Sequence, residues 1–110
     1  MKLPNPERAI VDIRKLRDYC LNPSHGRGRH KARVFASALG LGVDDAEELR
    51  AALLDAARTN DAYLLDQDEQ GQRYVIEFEM RRGEKRARIR SGWIVRHTQD
   101  FARLTTCYVI

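Results

Sequence analysis

Residues 73 to 96 alternate between apolar and polar on both sides of one Gly-Glu pair, and a β-hairpin is the structure that this pattern demands. Tyr74, Ile76, Phe78 and Met80 alternate with Arg73, Val75, Glu77, Glu79 and Arg81. After the turn Arg82-Gly83-Glu84-Lys85, Ala87, Ile89, Ser91, Trp93 and Val95 alternate with Arg86, Arg88, Arg90 and Arg96. A tight loop at Gly83-Glu84 sets Arg82 opposite Lys85, and all other pairs follow. Met80 meets Ala87, Phe78 meets Ile89, Ile76 meets Ser91 and Tyr74 meets Trp93. On the other face Glu79 meets Arg88 and Glu77 meets Arg90. A slip of one residue would send every side chain to the wrong face, so agreement on both faces selects this register.

Upstream the period is helical. Ala9-Ile10-Val11 reads as a small strand. Asp12 caps a helix whose inward face is Ile13, Leu16 and Cys20, with Tyr19 beside it, and Leu21-Asn22-Pro23 ends it. A second helix runs from near Arg29 to Leu39 and stops at Gly40, with Ala32, Phe35, Ala36 and Leu39 as its buried stripe. A third opens on Asp44 as cap with Glu47 three residues on, buries Ala46, Leu49, Leu53, Ala56 and Ala57, and closes at Asn60. Ala62 to Asp66 predicts a first strand, residues 69 to 72 a turn, and Leu104 to Ile110 a last strand. At period two, Thr106 and Tyr108 share a face with Leu104 and Ile110. The expectation is one α+β domain over residues 1–110, with helices in 12–60 packed on an antiparallel sheet of about four strands in 62–110.

Charge is divided along the chain. Residues 44 to 70 carry nine acidic residues against two basic ones, so a net charge of +4 conceals a strongly basic remainder. That polarity suits an anionic partner on the basic side, and equally a basic partner on the acidic helix. The cationic stretch is densest at His25-Gly-Arg-Gly-Arg-His-Lys-Ala-Arg33, which leads into a helix N-terminus where free N–H groups favour an anion. His30 lies in the first turn of that helix. It is either a surface residue or a general base, with Arg29, Lys31 and Arg33 as phosphate contacts. Arg86 and Arg96 lack an evident cross-strand partner, and Arg96 joins the candidate substrate contacts. The hydroxyls of Thr106 and Tyr108 suit phosphate binding or proton transfer, unless their strand is simply core.

Several classes are not indicated. No residues show metal-ligand spacing: Asp66, Asp68 and Glu69 match only part of a calcium loop. No cofactor motif occurs, since the Gly26-Arg27-Gly28 element lacks the third glycine of a dinucleotide fingerprint. No apolar run is long enough for a membrane span, and the first residues lack the apolar core of a signal peptide. Cys20 and Cys107 are therefore expected as buried free thiols in a cytoplasmic protein.

The segments Lys15–Pro23, Gly28–Phe35, Gly71–Tyr74, Trp93–Val95 and Leu104–Val109 resemble a small bacterial family catalogued as domain of unknown function 6883. The resemblance covers nearly the whole chain and implies no established activity. In size and element order such domains are similar to the toxin ribonucleases of the Barnase–EndoU–colicin–RelE fold. Those set helices before a four-stranded antiparallel sheet and cleave RNA without metal, often with a helix-borne histidine and groups from late strands. By that resemblance His30, Thr106 and Tyr108 are the catalytic candidates, RNA the substrate, and a cognate inhibitor or immunity protein the partner. The alternative is a non-catalytic module that binds nucleic acid or protein. The oligomeric state is left open.

Overall fold

The computed structural model describes all residues 1–110. Its elements are α1 (Ile13–Lys15), continued by a π-helical turn Leu16–Cys20, then α2 (Arg29–Leu39), α3 (Ala46–Thr59), β1 (Tyr63–Gln67), β2 (Gly71–Arg82), β3 (Lys85–Arg96) and β4 (Arg103–Val109). The strands form one antiparallel sheet in the order β1-β2-β3-β4. The helices cover one face. The α+β expectation holds, with helices first and strands after.

Local chemistry accounts for each helix. The Asp12 carboxylate accepts the Arg14 N–H at 3.0 Å, as expected of a cap. The turn that follows bonds Leu21 N to Leu16 O and turns Leu16, Cys20 and Leu21 wholly inward. α2 stops at Gly40, whose φ of 67° is the left-handed value a C-terminal cap requires. Its buried stripe is Ala32, Phe35 and Leu39, while Ala36 is exposed, so the expected stripe was one residue too wide. α3 does not open on Asp44. A 3-10 turn Val43–Asp45 precedes it, and the Asp45 carboxylate accepts the Gly42 N–H at 2.8 Å. The five inward residues expected on α3 are all buried.

The hairpin has the register read from its alternation, from Gly71 opposite Arg96 to Arg82 opposite Lys85. Gly83 has φ of 61° in the turn. The ion pairs depart from that ladder in one place. Glu77 holds Arg90 at 2.8 Å and lies 3.8 Å from Arg88, whereas Glu79 takes Arg81 of its own strand at 2.8 Å. Hairpin twist favours the diagonal neighbour here, so Arg88 leans towards Glu77.

The inner face of the sheet packs Tyr74, Ile76, Phe78, Met80, Ile89 and Trp93 against the helices. Ser91 is the one buried polar residue. Its hydroxyl donates to Ile76 O at 2.8 Å and accepts the Trp93 indole N–H at 2.9 Å. At the hairpin's end Arg82 donates to the carbonyls of Leu39 and Gly40 and to the carboxylates of Asp45 and Glu48, which locks the turn to both long helices. Ile10 forms a single parallel bridge to Arg103, the remnant of the small strand expected there.

One irregularity decides the geometry of β4. Gly92 pairs with Thr106, but Trp93 pairs with Leu104, so Thr105 is an extra residue in a β-bulge. The parity of the strand reverses across it. Leu104 and Cys107 both face the core, at 4% and 0% exposure. Thr106 and Tyr108 therefore lie on the outer face, away from Leu104, contrary to the uninterrupted period-two reading.

Candidate functional site

The outer face of the sheet is open and cationic. β3 presents Arg86, Arg88, Arg90 and Arg96 there, with Gly92 and Ile94 between them, and β2 contributes Arg73. Along β4 the bulge adds Thr105, Thr106 and Tyr108. α2 meets this face at the β4 edge, where His30, Lys31, Val34, Tyr108 and Val109 line one shallow cleft of about 360 Å³.

Lys31 is the centre of that edge. Its ammonium donates to the Tyr19 hydroxyl at 2.9 Å and lies 5.1 Å from the Tyr19 ring and 5.8 Å from the Tyr108 ring. The Tyr19 hydroxyl, above all, raises its pKa, so it is a permanent cation. No carboxylate pairs with Lys31 or with Arg96. Behind it lie the two thiols, both free and buried. The Cys107 thiol donates towards Cys20, which lowers the Cys20 pKa to about 7, aided by the Lys31 charge, and raises that of Cys107.

Of the residues read from sequence, His30, Lys31 and Tyr108 share the edge cleft. Tyr108 also reaches the adjoining depression of about 200 Å³ over Gly92, which Thr106 lines too. The Thr106 hydroxyl oxygen itself is buried with no partner and turns towards Cys20. Arg29 and Arg33 lie one helical turn apart, roughly 160–200° around α2 from Lys31, and stand away from the cleft. Arg96 lies at the far end of the outer face, in a depression of about 590 Å³ with Lys15, Arg73, His97 and Thr105.

The cationic loop is tied together through its own backbone. His25 Nδ1 accepts the N–H groups of Arg27 at 3.0 Å and Gly28 at 2.9 Å, and Arg29 N–H donates to the His25 carbonyl. The amides of Arg27, Gly28 and Arg29 are thereby used within the loop. Gly28 is required sterically, since a Cβ there would come within 2.2 Å of the Tyr19 carbonyl oxygen.

Gly92 and Thr105 escaped the sequence reading, while Arg73 and Arg90 were read only as members of the polar face, Arg90 opposite Glu77. Two signals were present. An isolated glycine inside a strand marks a bulge or a close backbone approach. The inward residues Leu104, Cys107 and Val109 break period two by one position. Nowhere do three His, Cys, Asp or Glu side chains gather into a metal-sized cluster.

A family model described as "Domain of unknown function (DUF6883)" matches residues 2–110. The chain belongs to this family. A chain of the contact-dependent growth inhibition toxin–immunity protein complex from Klebsiella pneumoniae 342 is similar in fold, with a TM-score of 0.70 and 18% identity over 92% of this chain and 99% of that one. No curated protein matches. At that identity the structural likeness speaks for the fold shared by this DUF6883 domain and its neighbour. No helix of the domain is long and apolar enough to cross a membrane.

Proposed function

We propose that this chain is a toxin-type ribonuclease domain that cleaves RNA by general acid/base chemistry without a metal. The observation that carries the reading is the meeting of His30, Lys31 and Tyr108 in one cleft that opens onto an arginine-lined sheet face. His30 takes the proton from a ribose 2′-hydroxyl, and the 2′-oxygen attacks the adjacent phosphorus. Lys31 and Arg90 meet the charge that grows on the phosphoryl oxygens, and Arg96 engages the strand further along. Tyr108 hands its proton to the departing 5′-oxygen. Thr106 supports this arrangement through the strand rather than through its buried hydroxyl. Arg29 and Arg33 serve as outlying attraction for the RNA backbone.

Electrostatic stabilisation is the larger part of such catalysis, and a positioned base adds about 10²–10⁴-fold. The fold neighbour comes from a toxin–immunity protein complex, and by analogy of fold an immunity protein is the partner expected here.

The test is direct. Purified protein with RNA in excess chelator is expected to leave 2′,3′-cyclic phosphate and 5′-hydroxyl ends. His30→Ala is expected to lower the rate at least about 100-fold while retaining RNA affinity. Cleavage at the wild-type rate in His30→Ala, or none in the wild type at any concentration, removes the proposal in favour of a binding module.

A further inference from the structure

We propose that the notch over Gly92 is a nucleobase subsite; the inference rests on the reading that RNA lies on the outer sheet face. Outward positions of β3 carry arginine at 86, 88, 90 and 96 and isoleucine at 94, so the absence of a side chain at 92 opens a depression in an otherwise furnished row. The depression holds about 200 Å³, with Leu65, Val75 and Tyr108 among its walls and Arg73 and Arg90 at its margins. The bulge turns Thr105 over it: a Cβ placed on Gly92 would lie 2.9 Å from Thr105 Oγ1 and 3.5 Å from Thr106 Cγ2.

Those features specify the ligand's chemistry. Apolar walls and a tyrosine ring suit a flat, polarisable face. The Thr105 hydroxyl that stands over Gly92 suits a polar edge that can donate or accept. Two guanidiniums beside the notch suit an anion attached to that flat group on either side. Arg73 is partly engaged by Asp68 and Arg90 by Glu77, yet each has five N–H donors, and both have donors to spare. A heterocyclic base on a phosphodiester backbone combines these properties, and an acidic peptide without an aromatic side chain lacks the flat group. Single-strand readers commonly pair a basic groove with an aromatic stacking surface.

Two oligoribonucleotides with 2′-O-methyl riboses, which the proposed reaction cannot cleave, separate the subsite from the chemistry. One carries bases and the other is abasic on the same backbone. The wild type is expected to bind the base-bearing strand about tenfold more tightly. Gly92→Val fills the notch, and Thr105→Val keeps its shape while removing the hydroxyl. Both are expected to lose most of that preference and to bind the abasic strand as the wild type does. Gly92 does not have a positive φ, so its dihedrals suit valine, but the new Cβ would stand 2.9 Å from Thr105 Oγ1 and the threonine side chain must turn aside to admit it. Should Gly92→Val fail to fold, Thr105→Val decides.

Equal affinity of the wild type for the two strands, no binding of either, or an undiminished preference in the variants overturns the subsite. Cleavage of ordinary RNA without a base preference would remove the subsite alone. A base preference without cleavage would remove the ribonuclease reading alone.

Discussion

Replacing Ser91 by alanine isolates one buried polar link beneath the outer face. Ser91 is 0% and Trp93 1% exposed, and the serine hydroxyl is the partner of the indole N–H. Without it the indole donor is buried with nothing to bond, which costs about 1–3 kcal/mol. The Ile76 carbonyl loses its contact from Ser91 as well, and we take about 2 kcal/mol for the whole change. A domain of this length unfolds with an entropy near 0.23 kcal/mol/K, so the melting temperature is expected to fall by about 9 °C. A double-mutant cycle with Trp93→Phe is expected to show a coupling of about 1 kcal/mol or more, because the phenyl ring brings no donor to strand. Denaturant titration of the four proteins gives both quantities. A Ser91→Ala loss below about 0.5 kcal/mol, or strict additivity of the two changes, would refute the account of the hydrogen-bond chain.

Other expectations follow from the same kind of detail. Arg82→Met removes a guanidinium that bonds two helix-end carbonyls and two carboxylates. It is expected to lower stability, with Arg82→Lys recovering less than half of the loss; equal stability of Met and Arg proteins in a denaturant titration would contradict this. Asp12 has its pKa lowered from 3.8 to about 2, chiefly by the Arg14 side chain and then by the Arg14 N–H. A lowered folded value means its stabilising effect is fully present above pH 3.8 and is lost as pH falls through about 2. The stability gap between wild type and Asp12→Ala is therefore expected to narrow across that window, and a gap that stays constant would exclude the cap as its origin.

The hairpin was legible because two faces imposed one register, and the inward positions of α3 because five small or aliphatic residues fall at helical spacing. Much of the site was less legible. Lys31 and His30 could be proposed from a cationic helix start, but their meeting with Tyr108 depends on how α2 lies against the β4 edge. The face of Tyr108 followed from the alternation only as far as Leu104, since one unpaired residue at Thr105 reversed everything after it. Backbone capping by His25 was likewise hidden, because a histidine two and three residues before amides reads as a loop residue until the loop's turn is known. The arginine row was visible as a pattern, but the gap at Gly92 acquires meaning only once Thr105 stands over it.

A sheet covered on one side only divides its residues between two tasks. Inner positions are bound to each other by packing, so a change at Ile76 or Trp93 demands compensation from several neighbours. Outer positions such as Arg88, Arg90 and Arg96 project outward from the same ladder and owe the core little. Variation can therefore accumulate on the open face almost independently of foldability. A lineage could exchange one partner or target for another by altering a few outward side chains, while the skeleton beneath stays the same.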